Sequence, residues 1–296
     1  MSIKSILTVF GGNDHELNAL DSALALGHIC RGLVRILHVA APPVLSDFSG
    51  LGIYGALAYP DAATIEALDE AEAALAARAG GLARTACTRM GAVLHPDGSE
   101  MVMGQFQATF RLVTGDLRTH VAEQAAFADL VVTGYDNRPD GDLDVILAGL
   151  FEGGRPVLAL PREPAAALPA TGFARTVAFA WDGSLASSRA LREAVPHMLH
   201  AQTVYVIHAG GGDAASDDAR RDLMTYLRCH CIAATYVGVD PGRAGVAETL
   251  LAEARRVKAD VLAMGAYGHG HISEMLLGGV TDHVLKHADL PLLLVH

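Results

Sequence analysis

Four short segments recur in the same order in the two halves of this chain, and that repetition constrains its fold more than any other feature. Ile6-Leu7-Thr8-Val9-Phe10-Gly11-Gly12 lines up with Val177-Ala178-Phe179-Ala180-Trp181-Asp182-Gly183, and Ile36-Leu37-His38-Val39 with Val206-Ile207-His208-Ala209. Ala128-Asp129-Leu130-Val131-Val132-Thr133-Gly134 echoes Ala259-Asp260-Val261-Leu262-Ala263-Met264-Gly265, and Arg155-Pro156-Val157-Leu158-Ala159-Leu160 echoes Leu290-Pro291-Leu292-Leu293-Leu294-Val295. Each match alone is weak; their common order indicates one structural unit used twice. The copies are unequal. Their first strands begin 171 residues apart (6 against 177), but the later ones only 131 apart (129 against 260). The first half therefore carries about 40 additional residues, expected around Pro42–Ala62 and Met90–Gln107.

The second half shows the unit more clearly. Apolar runs at 176–181, 204–209, 232–239, 260–265 and 291–295 are short and rich in branched side chains, as strands buried on both faces should be. Between them, Leu191, Ala194, Val195, Met198 and Leu199 form a helical stripe that Ser184 is placed to cap. Val246, Leu250, Ala254 and Val257 form another. Strands alternating with helices of this length build parallel βαβ units. The first half gives strands near 5–10, 33–39, 108–114, 129–134 and 156–160. The expected architecture is α/β: two tandem, doubly wound, Rossmann-like units, each a five-stranded parallel sheet with helices on both faces. The expected domains are 1–161 and 175–296. Residues 162–174, following Pro161 and running through Pro164 and an alanine-rich stretch, form the linker.

Composition narrows the function classes. The 296 residues include 33 acidic and 22 basic side chains, a formal charge of −11, which argues against holding nucleic acid through basic patches. With lysine only at Lys4, Lys258 and Lys286, there is no lysine-rich patch for anionic membranes, and no apolar run approaches the ~20 residues of a bilayer span. Cys30, Cys87, Cys229 and Cys231 are too scattered for a disulfide framework, and the apolar N-terminal run reads as a strand rather than a leader. A cytoplasmic protein is expected.

The chemistry concentrates near the C-terminus. A strand ends at Met264 and runs into Gly265-Ala266-Tyr267-Gly268-His269-Gly270-His271, and Gly278-Gly279-Val280-Thr281 then opens a helix. Glycine after a strand lets the backbone turn tightly and approach a ligand. A glycine pair before a helix exposes amides whose N–H groups, with the helix dipole, favour an anion. Asp182, ending the first strand of this half, would face the same crevice and accept from a ribose hydroxyl or an adenine amine. The plainer alternative is that glycine-rich βα turns are common in such folds and bind nothing.

Gly265-x-x-Gly268, nine residues, then Gly278 resembles the nucleotide-binding signature of the universal stress protein family. Trp181-Asp182-Gly183-Ser184 is similar to that family's first-strand end, and Pro291 to Val295 to its last strand. The resemblance spans the chain as a tandem pair, strong over 175–296 and weaker over 1–161. It implies a sheet of order 3-2-1-4-5, ATP (with Mg) at the carboxyl edge, and units packed through their last strands as a homodimer or an internal pseudo-dimer. It further implies Asp182 and Ala209 near the adenosine, and Gly265, Gly268, Gly278 and Thr281 near ribose and phosphates. Val280 would offer its backbone N–H, and His269 stands where relatives often place a basic residue. The chain departs from the pattern at Gly279, where ATP-binding members carry Ser or Thr, and loses one hydroxyl donor. In the first half Gly11 replaces Asp182, and Tyr135-Asp136-Asn137-Arg138-Pro139-Asp140 replaces the glycine motif, with carboxylates that repel a triphosphate. That half is not expected to bind nucleotide.

No catalytic constellation emerges: no lysine follows a glycine as a phosphate-binding loop requires, and there is neither a Gly-x-Ser-x-Gly elbow nor a His-Glu-x-x-His helix. His271 and His283 read more simply as solvated histidines than as phosphate donors. Cys229-His230-Cys231 lacks the second ligand pair that zinc needs. His38 and His208, at matching strand ends, read as structural. Phe48–Tyr59 suits either a lid or a packed surface insertion. The expected function is a stress-response, nucleotide-binding protein using ATP as a regulatory ligand or switch, and not an enzyme. The alternatives are a slow ATPase or phosphotransferase, and a nucleotide-free interaction protein.

Overall fold

The computed structural model describes residues 3–41, 62–95, 102, 104–136, 143–162, 174–210, 217–267 and 279–296. In the first half, β1 (Ser5–Val9) leads through a 3-10 turn at Asp14–Glu16 into α1 (Leu17–Cys30) and β2 (Leu33–Ala40). Then come α2 (Ala62–Met90), β3 (Val93–His95), β4 (Gln107–Thr114), α3 (Leu117–Ala125) and β5 (Leu130–Tyr135). The short α4 (Asp144–Leu147) continues as a π turn over Ala148–Glu152 before β6 (Val157–Pro161). The second half runs β7 (Thr176–Ala180), α5 (Leu185–Met198), β8 (Thr203–Ala209), α6 (Asp217–Cys229) and β9 (Ala234–Val239). It ends with α7 (Gly245–Arg256), β10 (Val261–Gly265), α8 (Gly279–His287) and β11 (Leu292–Val295).

The strands among the described residues form one 11-stranded sheet in the order β3-β4-β2-β1-β5-β6-β11-β10-β7-β8-β9. The second half has the expected 3-2-1-4-5 order. The first has the same core order plus a sixth strand, the short β3 at its edge, where five were expected. Part of the added length also lies in a helix: α2 has 29 residues where its counterpart α6 has 13. The Phe48–Tyr59 segment falls outside the described residues.

The halves join through their last strands. β6 and β11 pair antiparallel, Val157 with Leu294, Leu158 with Leu293 and Ala159 with Leu292, within an otherwise parallel sheet. All six side chains are at most 1% exposed. The sheet edges that each unit would otherwise leave open cover each other inside one chain. Side chains alternate across the seam, so both cores are continuous. Leu158 and Leu293 join the layer beneath α1, α2, α5 and α6, while Ala159 and Leu292 join the layer beneath α3, α4, α7 and α8.

The repeated Ala-Asp pair acquires a structural reason. Asp129 Oδ2 accepts the backbone N–H groups of Lys4 (2.7 Å) and Ser5 (2.9 Å), and Asp260 Oδ2 those of Arg175 (2.7 Å) and Thr176 (2.8 Å). In each half, the carboxylate before the fourth core strand pins the start of the first. Ser184 caps α5 as expected, accepting from the Ser187 N–H at 3.1 Å.

Candidate functional site

The site region is the carboxyl edge of β7, β8 and β10, where the strand order changes direction. Register brings its residues together. Ala180 pairs with Ile207 and Phe179 with Ala263, so continuing along the strands sets Asp182 level with Ala209 and with Ala266. Asp182 is exposed and Ala209 half-buried. The Asp182 Oδ1 accepts the Ser184 N–H at 2.9 Å, an Asx turn that orients the carboxylate at the head of α5.

Gly265 and Gly279 serve different ends. A Cβ on Gly265 would lie 2.6 Å from the backbone carbon of Ala186 and 2.7 Å from the nitrogen of Ser187. Glycine there lets the start of α5 seat against the end of β10. Gly279, the first residue of α8, is exposed, and a Cβ there would meet nothing within 4 Å. Its neighbour Val280 is half-buried. Thr281 is buried, and its Oγ1 lies 3.4 Å from the Tyr267 N–H, which donates to it, so this hydroxyl ties the strand exit to the helix start. Asp282, in the first turn of α8, pairs with Lys286 at 2.9 Å, which moderates a carboxylate that would oppose an anion. Gly268, His269, His271 and Gly278 lie outside the described residues.

Tyr267 has φ +59, in the left-handed region, and packs its ring 5.0 Å from that of Phe151 in the π turn of the first half. Burial, reinforced by Asp282, pushes its phenol up from the ordinary tyrosine value. The Phe151 contact joins segments 116 positions apart, and no local pattern announces it.

The matching edge of the first half is built differently. The Glu16 carboxylate folds back over the end of β1, where Oε2 accepts from the Gly11 N–H at 2.7 Å and Oε1 from the Asn13 side chain at 3.2 Å. A carboxylate thus takes amides at the position matching Asp182. The long α2 also crosses this edge. Glu72 accepts from the Ala41 N–H at 3.1 Å, Arg78 pairs with Asp14 at 2.8 Å, and Ala79 packs beside Gly12. Asp136 pairs with Arg162 at 3.1 Å. The capping-box spacing Asn13-x-x-Glu16 was the available signal for the folded-back glutamate.

His38 and His208 hold matching places. Nδ1 of His38 lies 2.9 Å from the Phe10 carbonyl and Nδ1 of His208 lies 2.8 Å from that of Trp181, each ring stacked on an aromatic of the next strand, Phe110 or Tyr236. Both are buried and brace adjacent strand ends. His283 faces α7, with Nε2 3.3 Å from Glu248, and stacks on His287, away from the role of a phosphate donor. Cys229 and Cys231 are exposed at the end of α6. Among the described residues, no group of three or more His, Cys, Asp or Glu side chains is arranged to hold a metal ion, and no helix is long and apolar enough to cross a membrane.

Residues 241–296 match the model of the universal stress protein family. No curated protein matches the chain. Among solved structures, a universal stress protein from Archaeoglobus fulgidus aligns over 98% of this chain and 95% of its own, at 15% identity and a TM-score of 0.66. A functionally unknown protein from Pseudomonas aeruginosa aligns over 99% and 92%, at 17% identity and a TM-score of 0.54. A universal stress protein in complex with cAMP aligns over 42% of this chain and 98% of its own, at 24% identity and a TM-score of 0.34. At such identities the likeness is one of fold. The resemblance read from the glycine motif therefore holds: the C-terminal segment carries the sequence pattern of the universal stress protein family, and the whole chain, through both units, carries that family's fold.

Proposed function

We propose that the protein is a stress-response nucleotide-binding protein whose second half holds one ATP, with Mg as counter-ion, as a regulatory ligand rather than a substrate. The observation that carries the reading is the contrast between the two carboxyl edges. In the second half, Asp182 is exposed at the switch in strand order and Gly279 is open at the first turn of α8. In the first half, Glu16 and α2 occupy the corresponding space. Asp182 would accept from the adenine amine or a ribose hydroxyl, beside the Ala209 backbone. The amides of Gly279 and Val280, with the helix dipole, would face phosphate oxygens. Thr281 would hold the strand exit to the helix by accepting from the Tyr267 N–H, its own O–H remaining a donor. Gly268, His269 and Gly278 complete the motif by sequence. Binding rather than catalysis is favoured by the absence of a lysine after glycine and of any nucleophile–base pattern in the sequence. A cytoplasmic setting accords with the four free cysteines.

One observation favours a second reading, a nucleotide-free interaction protein: Gly279 has no hydroxyl and that of Thr281 is buried, so side-chain donors at the helix start are few. Mass spectrometry of protein purified without added nucleotide, followed by calorimetric titration with MgATP, separates the two. The ATP reading expects about one equivalent per chain. Asp182→Asn, which keeps the Asx turn while removing the charge, should weaken binding by about tenfold. Absence of nucleotide and of binding would favour the interaction protein, and a second equivalent would overturn the assignment of the site to one half.

A further inference from the structure

We propose that Phe151, in the first half, is a positioning residue for Ala266 and Tyr267, where the second half's glycine motif leaves β10, so that one half serves as a built-in partner for the other. The consequence for nucleotide affinity rests on the reading above; the positioning itself does not.

The chain leaves β10 through Ala266 and Tyr267, and Tyr267 adopts φ +59, which residues other than glycine seldom do. Such a conformation persists where its surroundings over-determine it. Here four contacts do so. Ala266 N–H donates to the Val295 carbonyl at 2.7 Å, and His296 Nδ1 lies 3.2 Å from the Ala266 carbonyl. Tyr267 N–H donates to Thr281 Oγ1, and the Tyr267 ring lies tilted on Phe151, with centroids 5.0 Å apart. The His296 ring also packs on Phe151, at 4.5 Å. Phe151 thus touches both the side chain of Tyr267 and the histidine that braces the residue before it.

The platform under Phe151 is firm. Ala148, Gly149 and Leu150 of the π turn are buried, and a Cβ on Gly149 would come within 2.8 Å of Val157, so the turn lies close against β6. The next residue, Glu152, is paired with Arg118. Because β6 pairs with β11, the turn is carried to the end of β10, one strand further on. Phe151 itself is 38% exposed, so its removal takes little from either core. Asp136, the sequence equivalent of Tyr267, pairs with Arg162 just past the end of β6.

The test uses hydrogen exchange by mass spectrometry on the full chain without nucleotide, comparing wild type, Phe151→Ala and Phe151→Tyr. The peptide containing Ala266 and Tyr267 should exchange about three- to tenfold faster in Phe151→Ala, as expected for losing an aromatic pair, and at the wild-type rate in Phe151→Tyr. Peptides from β7 and α5 should not change. Unchanged exchange at Ala266 and Tyr267 overturns the proposal, and so does acceleration spread through the second half, which would mean simple loss of stability. A parallel MgATP titration should weaken in Phe151→Ala by the same factor. Localised acceleration with no ATP binding even by wild type supports the positioning role and sinks the nucleotide reading instead.

Discussion

Replacing Gly279 by serine examines the helix start most directly. Gly279 opens α8, is exposed, has open space where a Cβ would stand, and is not in the left-handed region that would penalise a side chain. Serine therefore fits without displacing anything and returns the hydroxyl that the family pattern carries there. Two effects follow and can be separated. Losing a flexible glycine from a helix stabilises by up to about 1 kcal/mol, less at a terminus, and alanine provides this as well as serine. Only serine adds a hydrogen bond to a bound phosphate. At about 0.5–1.5 kcal/mol, that tightens binding between two- and twelvefold. Calorimetric titration of wild type, Gly279→Ala and Gly279→Ser with MgATP at one fixed salt concentration, beside thermal unfolding without ligand, reads both. The expected pattern is a similar rise in unfolding temperature for both variants and tighter binding for serine alone. Equal affinities for serine and alanine, despite the stability gain, would refute an anion seated on the first turn of α8.

Two further outcomes concern stability. Asp260→Ala should cost about 2–3 kcal/mol in denaturant unfolding, because one carboxylate oxygen serves two backbone N–H groups at 2.7 and 2.8 Å in a partly exposed setting, and Asp129→Ala should cost a similar amount. A loss below about 0.5 kcal/mol for either would refute the pinning role. His197 is buried near the end of α5, and burial, helped by His200, lowers its pKa to about 4. The unfolded chain, titrating near 6.5, binds the extra proton first, so stability is full above about pH 6.5 and falls by about 3 kcal/mol as pH drops to 4. His197→Gln should flatten that slope, and unchanged slopes would show the acid sensitivity to lie elsewhere.

Much of the site was legible because it is local. Ser184 before a helical stripe is a cap whose partner lies three residues on, and the structure shows it so, while the Asx turn that Asp182 makes with it was not read. Glu16 was equally local and went unread, since its capping box hides in a half whose motif has decayed. Gly265 shows the limit of motif reading. The pattern assigns it to a ligand, but a Cβ there would come within 3 Å of the start of α5, a segment nearly 80 positions away in sequence. Thr281 likewise belongs to the motif, yet its hydroxyl oxygen also accepts from the backbone N–H of Tyr267.

The unit, its duplication and the inequality of the copies follow from the order of residues along the chain. Apolar runs of strand length between helical stripes leave a parallel sheet as the way to bury both faces, and those signals repeat along the chain. What the two units do to each other emerges from their packing. The antiparallel seam between β6 and β11, the cover that α2 lays over the first crevice, and Phe151 seated on Tyr267 all join residues far apart in sequence. Such contacts depend on where the sheet carries each element, and the composition or period of either segment alone does not encode them.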